Sequence, residues 1–288
     1  MTAPQPNAIA LPPGHLCLTS HGLVTLETLQ SLMQLQARLW QVGLGPAIKF
    51  DFQPGALVDK ARDDAVYAML HNPQAAYLLF IDGDMSFAPD IVEKLLTTAF
   101  HTLPWADIVG AWCSLRGAPY LPTIDTGTGT WEPTLPNQGP LEVIRTGSAC
   151  ILVKRHVYER MEAPWYKVRP APRALDTLAE FDNFCRIKFD GRNPFRHLRE
   201  WEQISGCATD EARNQRLSNP TGAHGSFMSS VGEDSNFCDK SRALGFRIAV
   251  QTDAVCGHVD RRVIGPKEHK DAMVEQERQE LLACGVTD

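Results

Sequence analysis

The first 112 residues predict an α/β protein, in which a parallel sheet carries helices on its faces. Two features lead to this expectation. Apolar runs of strand length alternate with stretches of helical periodicity, and Gly or Pro breaks separate them. In such sheets ligands gather at the carboxyl ends of the strands. The loops that follow the predicted strands are therefore the first places to look for functional side chains.

The elements of this first part follow from periodicity and breaker residues. Helices are expected where apolar residues recur near a 3.6 period, and strands where short apolar runs end at polar or Gly-containing turns. The expected strands cover 15–19, 47–52, 77–81 and 107–112, and the expected helices cover about 24–42, 54–70 and 89–100.

The second part of the chain is less regular. A stretch rich in Gly, Pro and Thr at 117–140 predicts loops, with the possibility of a hairpin. A long irregular insertion at about 164–224, with helical patches, is typical of a lid or a binding loop. The remaining expected elements are strands at 141–145, 149–153 and 246–250, a continuation of the last strand at 254–259, helical patches at 175–187 and 195–204, and helices at 232–244 and 266–283.

Composition narrows the functional class. The net charge of −6 and the pI near 5.9 give no overall basic field, which argues against a protein held on nucleic acid mainly by electrostatics. The eight cysteines show no metal-binding spacing, as expected for buried thiols in a reducing compartment. With no signal-peptide pattern and no apolar run of spanning length, we expect a cytoplasmic protein without a membrane span.

Asp82 and Asp84 follow the apolar run 75–81 directly. Residues i and i+2 of an extended chain point the same way, so both carboxylates can face one ligand, and Gly83 between them leaves the backbone free to turn. Buried carboxylates need partners, and a hard divalent cation is one. An ordinary Asp-Gly turn at a strand end explains the same residues and stays open as the alternative.

Two later motifs add to this pattern. Glu233 and Asp234 follow Gly232 at the start of a predicted helix, where acids are favoured by the helix dipole and where a plain N-terminal cap is the alternative. His258 ends an apolar segment, where a hydrogen-bonded structural histidine is the alternative. It is the order of all these motifs, including Thr146-Gly147-Ser148 before a strand, that favours a functional set.

This order resembles the GT-A-type nucleotide-sugar glycosyltransferases, in particular short family-2-like members from bacteria and phages. The resemblance spans about 16–263 and implies a GT-A-like, Rossmann-type mixed sheet with helices on both faces. It implies a single compact domain, with a donor-binding half at 14–115, an acceptor-binding half at 116–265 that contains the insertion, and a C-terminal helix or tail at 266–288.

The resemblance also implies roles for individual residues. Asp82-Gly83-Asp84 matches the family's D-x-D motif, Gly232-Glu233-Asp234 its x-E-D motif, and Val58 to Arg62 a helix whose arginine faces the donor. The implied metal ligands for Mn²⁺ or Mg²⁺ are Asp82, Asp84 and His258. The implied catalytic residues are Asp234, as the base of an inverting reaction, and Glu233. The implied donor contacts are Thr19, Ser20, Arg62, Asp82, Gly83, Arg261 and Arg262, and the implied acceptor contacts are Gly147, Ser148 and Trp165.

The expected activity is metal-dependent transfer of a sugar from a nucleotide-sugar donor to an acceptor hydroxyl. Polysaccharide, protein, small metabolite and modified nucleic acid base all remain open as the acceptor. One alternative is a haloacid-dehalogenase-like phosphohydrolase, with Asp82 as nucleophile and Asp84 as acid/base, although its motif normally lies on the first strand. Another is a noncatalytic nucleotide-sugar-binding protein.

Overall fold

A computed structural model describes residues 11–20, 23–54, 57–116, 119–128, 131–167, 169–170, 230–259, 263–264 and 267. The chain divides into two compact units, residues 1–167 with 233–288 and residues 168–232. The helices expected at 175–187, 195–204 and 266–283 lie outside the described residues.

The elements of the described residues are numbered in chain order. The helices are α1 (Leu26–Gln41), α2 (Val58–Leu70), α3 (Ile91–Thr97), α4 (Arg155–Arg160) and α5 (Glu233–Ala243). The strands are β1 (Gly14–Ser20), β2 (Ile48–Pro54), β3 (Tyr77–Asp82), β4 (Met85–Phe87), β5 (Ile108–Cys113), β6 (Ile124–Asp125), β7 (Pro140–Val143), β8 (Arg145–Thr146), β9 (Cys150–Lys154), β10 (Arg169–Pro170), β11 (Ser230–Val231), β12 (Ile248–Val259) and β13 (Val263–Ile264). A 3₁₀ turn spans Gly45–Ala47 and a π-helical turn spans Thr98–Thr102.

The main sheet has the strand order β13-β12-β5-β9-β3-β1-β2. β1 runs parallel to β2 and β3, and β5 runs parallel to β12. β9 lies between β3 and β5 and is antiparallel to both, so the sheet is mixed. The predicted Rossmann-type mixed α/β class is confirmed. The four strands expected in the first 112 residues, β1, β2, β3 and β5, all run in one direction, and β9 is inserted antiparallel between β3 and β5.

Both faces of the sheet are covered by helices. Alternation along β3 sends Tyr77, Leu79 and Ile81 into one apolar cluster and Leu78 and Phe80 into the other. The first cluster contains the buried faces of α1 and α3, and the second contains those of α2, α4 and α5. This burial on both sides explains why the central strands are almost continuously apolar.

β12 brings the end of the described chain back to the loop after β3. The strand expected at 246–250 and its expected continuation at 254–259 form the single strand β12, with a register shift between Gln251 and Val255. Beyond that irregularity, β12 pairs with β4 so that His258 lies opposite Met85. The strand therefore positions His258 beside the residues that follow Asp82.

Within the described ranges, no helix combines the length and the apolar character needed to cross a bilayer.

Candidate active site

The loop after β3 packs directly against the loop after β1. The Gly83 N–H donates to the Thr19 carbonyl at 2.7 Å, and the Gly83 carbonyl accepts from the Thr25 N–H at 2.9 Å. A Cβ on Gly83 would lie 3.0 Å from Ser20 Cβ and 3.1 Å from the Leu23 carbonyl oxygen, so a side chain here would crowd the loop after β1. Glycine between the two aspartates thus serves the close approach of these loops at the carboxyl edge of the sheet.

Arg62 is the buried centre of this edge, with only 2% of its surface exposed. Its Nη2 lies 3.1 and 3.2 Å from the two carboxylate oxygens of Asp82, and its Nη1 lies 2.7 Å from Glu233 Oε1. Burial alone would lower the pKa of Arg62, but the carboxylates of Asp82 and Glu233 raise it above its ordinary value. The guanidinium therefore stays charged and ties α2 to β3 and to α5.

Asp82 is held from a second side. Thr19 Oγ1 donates to Asp82 Oδ1 at 2.5 Å, so one oxygen of this carboxylate receives a hydroxyl and a guanidinium group together. The Asp82 N–H donates to the Ala149 carbonyl at 2.8 Å. That bond places the Thr146-Gly147-Ser148 segment next to the end of β3.

Asp234 lies in the first turn of α5, next to the Glu233 that Arg62 binds. Burial raises the pKa of Asp234 and the neighbouring charge of Glu233 adds to this, whereas Arg62 and the Ser235 N–H lower it. The Ser235 N–H donates to Asp234 Oδ1 at 2.7 Å and fixes the carboxylate. A fixed carboxylate with an elevated pKa is a better proton acceptor near neutral pH than an ordinary aspartate.

Asp84 and His258 lie on neighbouring segments. The Val259 N–H donates to the Asp84 carbonyl at 2.7 Å, next to the Met85–His258 pair. The Asp84 carboxylate forms an ion pair with Arg116, whose side chain is 60% exposed.

The buried imidazole of His258 is held in one tautomer. Its Nδ1 donates to the Ser114 carbonyl. Burial lowers the pKa of His258, an effect that the Ser114 carbonyl and Asp84 oppose. Because a carbonyl can only accept, Nδ1 carries the hydrogen and Nε2 keeps its lone pair, which is how metal-binding histidines are commonly oriented.

Some of these side chains are suitable ligands for a divalent cation. The Asp84 oxygens and the neutral His258 imidazole are suitable ligands for Mn²⁺ and, less so, for Mg²⁺. Asp82 differs, because Arg62 and Thr19 already bind its oxygens. Accordingly, no three His, Cys, Asp or Glu side chains among the described residues are grouped closely enough to hold a metal ion.

A cavity of about 250 Å³ opens beside these groups. The predicted donor contacts at the ends of β1 and β3 line it together with Asp84 and Arg116. The polar and glycine residues of its wall are Thr19, Ser20, Thr25, Asp82, Gly83, Asp84 and Arg116.

The predicted acceptor residues are packed against protein. A Cβ on Gly147 would lie 2.8 Å from Thr123 Oγ1, and Ser148 is buried. Trp165 is buried too, and its indole N–H donates to the carbonyls of Tyr158 and Met161. Contact of these residues with an acceptor stays a prediction. Arg261 and Arg262, the other predicted donor contacts, lie outside the described residues.

Two residues of this region were missed by sequence reasoning. Arg116 lies three residues after β5, at the same sheet edge, and the rule that drew attention to Ser20 and Asp82 could have found it. The Tyr166 ring lies 5.7 Å from the Arg62 guanidinium carbon and stacks on Phe237 of α5 at 4.5 Å. Nothing in its local sequence distinguishes Tyr166 from an ordinary core tyrosine.

No protein-family profile and no curated protein sequence matches this chain. Among solved structures, A197 from STIV is similar, with a TM-score of 0.53 and 14% identity over 88% of this chain and 91% of that chain. A glycosyltransferase involved in the glycosylation of the major capsid of PBCV-1 is similar at a TM-score of 0.29, with 14% identity over 62% of this chain and 77% of its own. GalNAc-T7 with UDP, GalNAc and Mn²⁺ is similar at a TM-score of 0.41, with 8% identity over 88% of this chain and 44% of its own.

The similarity to A197 shows a shared fold and nothing about chemistry. The structures that resemble this chain do include glycosyltransferases, but at TM-scores too low for an argument about its reaction.

Proposed function

We propose that this chain is a metal-dependent glycosyltransferase that moves a sugar from a nucleotide-sugar donor to an acceptor hydroxyl with inversion at the anomeric carbon. The observation that carries the proposal is the buried Arg62, which binds Asp82 at the end of β3 and Glu233 at the start of α5. Through it, Asp82 of the D-x-D motif, which lines the cavity, is linked to the start of the E-D helix.

Asp234 is the proposed general base. It accepts the proton of the acceptor hydroxyl while that oxygen forms a bond to the anomeric carbon of the donor sugar. The bond from this carbon to the diphosphate oxygen breaks, and its electron pair leaves with the nucleoside diphosphate. A positioned base contributes about 10²–10⁴-fold to such a step. The raised pKa of Asp234 supports this role.

The departing diphosphate needs positive charge. Asp84 and His258 would hold a divalent cation, which would neutralise such charge without a proton. Arg116 also lines the cavity and offers a guanidinium group, which matches phosphate oxygens in a bidentate manner. In this proposal Asp82 takes no part as a metal ligand, because Arg62 and Thr19 engage its oxygens.

The donor nucleotide is assigned to the cavity at the ends of β1 and β3. Thr19, Ser20 and Gly83 line it, which supports their proposed role as donor contacts. Gly147 and Ser148 stay the proposed acceptor contacts, and their segment adjoins Asp82 through the Ala149 carbonyl. The class of acceptor stays open.

A thermal-shift screen with UDP-, GDP-, CMP- and dTDP-sugars, each with and without Mn²⁺, tests the proposal. A ligand at 100 times its dissociation constant stabilises by about 2.7 kcal/mol, which is readily measured. One donor should give a Mn²⁺-dependent shift that Asp84→Ala abolishes. Glu142→Ala is the control, because Glu142 is an exposed carboxylate paired with Arg247.

Transfer is then followed with the radiolabelled form of that donor, by hydrolysis and by transfer to candidate acceptors. A shift that survives Asp84→Ala unchanged would refute the metal assignment. Donor binding without hydrolysis or transfer would favour the noncatalytic alternative. Covalent phosphate on Asp82, detected by mass spectrometry after incubation with phosphate esters, would favour the phosphohydrolase.

A further inference from the structure

Arg116 places a positive charge beside both of the side chains proposed as metal ligands. Its guanidinium group forms an ion pair with the Asp84 carboxylate. The pKa of His258 is lowered chiefly by burial, and the charge of Arg116 lowers it further, so the guanidinium group lies near the imidazole too. Asp84 and His258 therefore already face a cation that belongs to the chain itself.

The ion pair between Arg116 and Asp84 is of the kind that opens readily. The Arg116 side chain is 60% exposed, and that of Asp84 is 24% exposed. Ion pairs exposed to solvent are favoured over their open state by only about two- to fivefold. Arg62, by contrast, is buried and held by two carboxylates. Of these two arginines at the site, Arg116 is the one that can change partners.

The cavity offers Arg116 a second anionic partner. Arg116 and Asp84 both line the cavity assigned to the donor, and Arg116 is the one basic side chain among the described residues of its wall. A nucleoside diphosphate in this cavity would need positive charge close to its phosphate groups. A guanidinium group binds phosphate oxygens in a bidentate manner, and the diphosphate carries more negative charge than the single carboxylate of Asp84.

We propose that Arg116 moves between these two anionic partners and thereby couples metal binding to donor binding. Without a nucleotide, Arg116 pairs with Asp84 and competes with a divalent cation for that carboxylate. With a nucleoside diphosphate in the cavity, the guanidinium group binds the phosphate oxygens instead, and the Asp84 carboxylate becomes available as a ligand. The inference rests on the proposed function and adds a form of regulation to the same site.

The coupling follows from the single ion pair that both ligands must open. A cation alone has to separate Arg116 from Asp84, and so does a diphosphate alone, but the two together separate them only once. Each ligand therefore raises the affinity for the other by the same factor. The expected factor is about two- to fivefold, the preference for the closed ion pair. It multiplies any direct attraction between the cation and the phosphates, which does not involve Arg116.

Mn²⁺ binding with and without nucleotide tests the proposal. UDP, GDP, CDP and dTDP are first compared by thermal shift, and the one that stabilises the unaltered chain most is used together with its nucleoside. Free Mn²⁺ is measured by electron paramagnetic resonance, with a correction for Mn²⁺ bound by free nucleotide. Without nucleotide, Arg116→Ala should bind Mn²⁺ about two- to fivefold more tightly than the parent chain.

The nucleotide should remove this difference. With saturating nucleoside diphosphate, Arg116→Ala and the parent chain should bind Mn²⁺ equally, because Arg116 of the parent has left Asp84. With the saturating nucleoside, which has no phosphate, the difference should persist.

Nucleotide binding in EDTA tests the second partner of Arg116 without any metal. Measured by isothermal titration calorimetry, Arg116→Ala should bind the diphosphate at least about threefold more weakly, because hydrogen bonds to charged groups outweigh the cost of opening an exposed ion pair. Asp84→Asn should bind it more tightly, since Arg116 is then released. The gain from Asp84→Asn should be smaller in the Arg116→Ala background, which a double-mutant cycle measures.

Two further variants serve as controls. Arg247→Ala removes an arginine that is 48% exposed and paired with Glu142, away from the cavity wall, and should change neither Mn²⁺ nor nucleotide binding. Arg116→Lys keeps the charge but lacks the planar group of five donors. It should restore the competition with Mn²⁺ and only part of the affinity for the diphosphate.

The contrary results separate the inference from the proposed function. If Arg116→Ala tightened Mn²⁺ binding by the same factor with and without the diphosphate, or in neither condition, the inference would be overturned and the proposed function would stand. If the parent chain bound no Mn²⁺ in either condition, the metal assignment would fail together with the inference. If none of the four nucleoside diphosphates bound the parent chain, the proposed function itself would fail, and the inference with it.

Discussion

Arg62 Nη1 donates to Glu233 Oε1 at 2.7 Å, although 171 positions separate the two residues in the sequence. The same guanidinium binds Asp82, so α2, β3 and α5 meet at one buried cation. Removing one member of a buried group of paired charges leaves the other charges uncompensated, which typically lowers the free energy of unfolding by about 3–5 kcal/mol. The position of the proposed base, Asp234, thus depends on a residue that contacts its neighbour and not the base itself.

Arg62→Gln is expected to shift the pH dependence of transfer. The charge of Arg62 lowers the pKa of Asp234, so its removal raises that pKa further. The acid limb of the plot of kcat/KM against pH should then move to higher pH, because Asp234 loses its proton and becomes able to act as a base only at a higher pH. Arg62→Lys keeps the charge and should leave the limb nearly in place while kcat falls. An unchanged limb in Arg62→Gln would contradict this assignment.

Arg145→Gln is the matched control for that experiment. Arg145 also bridges two carboxylates, those of Asp125 and Asp239, and is partly buried. The charges that move the pKa of Asp234 are Glu233, Arg62 and Asp82. Arg145→Gln should therefore lower the free energy of unfolding without moving the acid limb.

Arg116→Ala is expected to strengthen Mn²⁺ binding in the absence of donor. Arg116 forms an ion pair with Asp84, and a cation must displace it from the carboxylate. An exposed pair contributes up to about 1 kcal/mol, so the apparent dissociation constant should fall about two- to five-fold. Free Mn²⁺ measured by electron paramagnetic resonance gives this value. Arg247→Ala, which removes a comparably exposed arginine from Glu142, should have no effect, and weaker Mn²⁺ binding by Arg116→Ala would refute the competition.

Local patterns in the sequence predicted most elements of the first 112 residues within two to four positions. β1, β2, β3 and β5 were expected because apolar runs of strand length are a local property. The place of β9 between β3 and β5 was not, because strand order depends on contacts far apart in sequence. In β12 the continuation from the first apolar segment into the second was expected, but the register shift between them was not, because only the pairing with β5 defines it.

The candidate site divides in the same way. Asp82, Asp84, Asp234 and His258 were predicted from motifs and their order, and their roles stay predictions. The ion pair between Arg62 and Asp82 could not be predicted, because it depends on which carboxylate the folded chain brings to the guanidinium group. Arg116 and Tyr166 belong to no sequence motif, and only the folded structure shows their contacts. Arg116 forms an ion pair with Asp84, and the Tyr166 ring lies beside Arg62.

Gly147→Ala is expected to destabilise the protein by about 1–3 kcal/mol, as overpacking of a tight interior typically does. The new methyl group would lie 2.8 Å from Thr123 Oγ1, and Thr123 is buried with its hydroxyl bonded to the Cys113 carbonyl. Thr123→Ala in the same chain removes the nearest atom and should restore part of the loss. Urea unfolding of the single and double variants measures both effects. Equal stability of Gly147→Ala and the parent would show that this turn has room for a side chain.

Asp234→Asn should make the protein more stable at neutral pH while lowering kcat by about 10²–10⁴-fold. The folded pKa of Asp234 is raised above its ordinary value of 3.8, mainly by burial, so the folded state favours the neutral carboxyl. The contribution of neutral Asp234 to the free energy of unfolding is complete below pH 3.8 and is lost as the pH rises through the folded pKa. Asparagine stays neutral throughout and can still accept from the Ser235 N–H. The urea midpoints of the two chains should therefore coincide at low pH and separate as the pH rises.

Glu142→Gln gives the opposite sign and serves as the control for that comparison. The hydrogen bond from Arg247 lowers the pKa of Glu142 below its ordinary value of 4.5. The contribution of ionised Glu142 to the free energy of unfolding is present above pH 4.5 and is lost as the pH falls through the folded pKa. Glu142→Gln should therefore be less stable than the parent chain at neutral pH and equally stable in acid. If Asp234→Asn followed the same course as Glu142→Gln, the carboxyl of Asp234 would be stabilised in its charged form, and its role as a base of raised pKa would have to be abandoned.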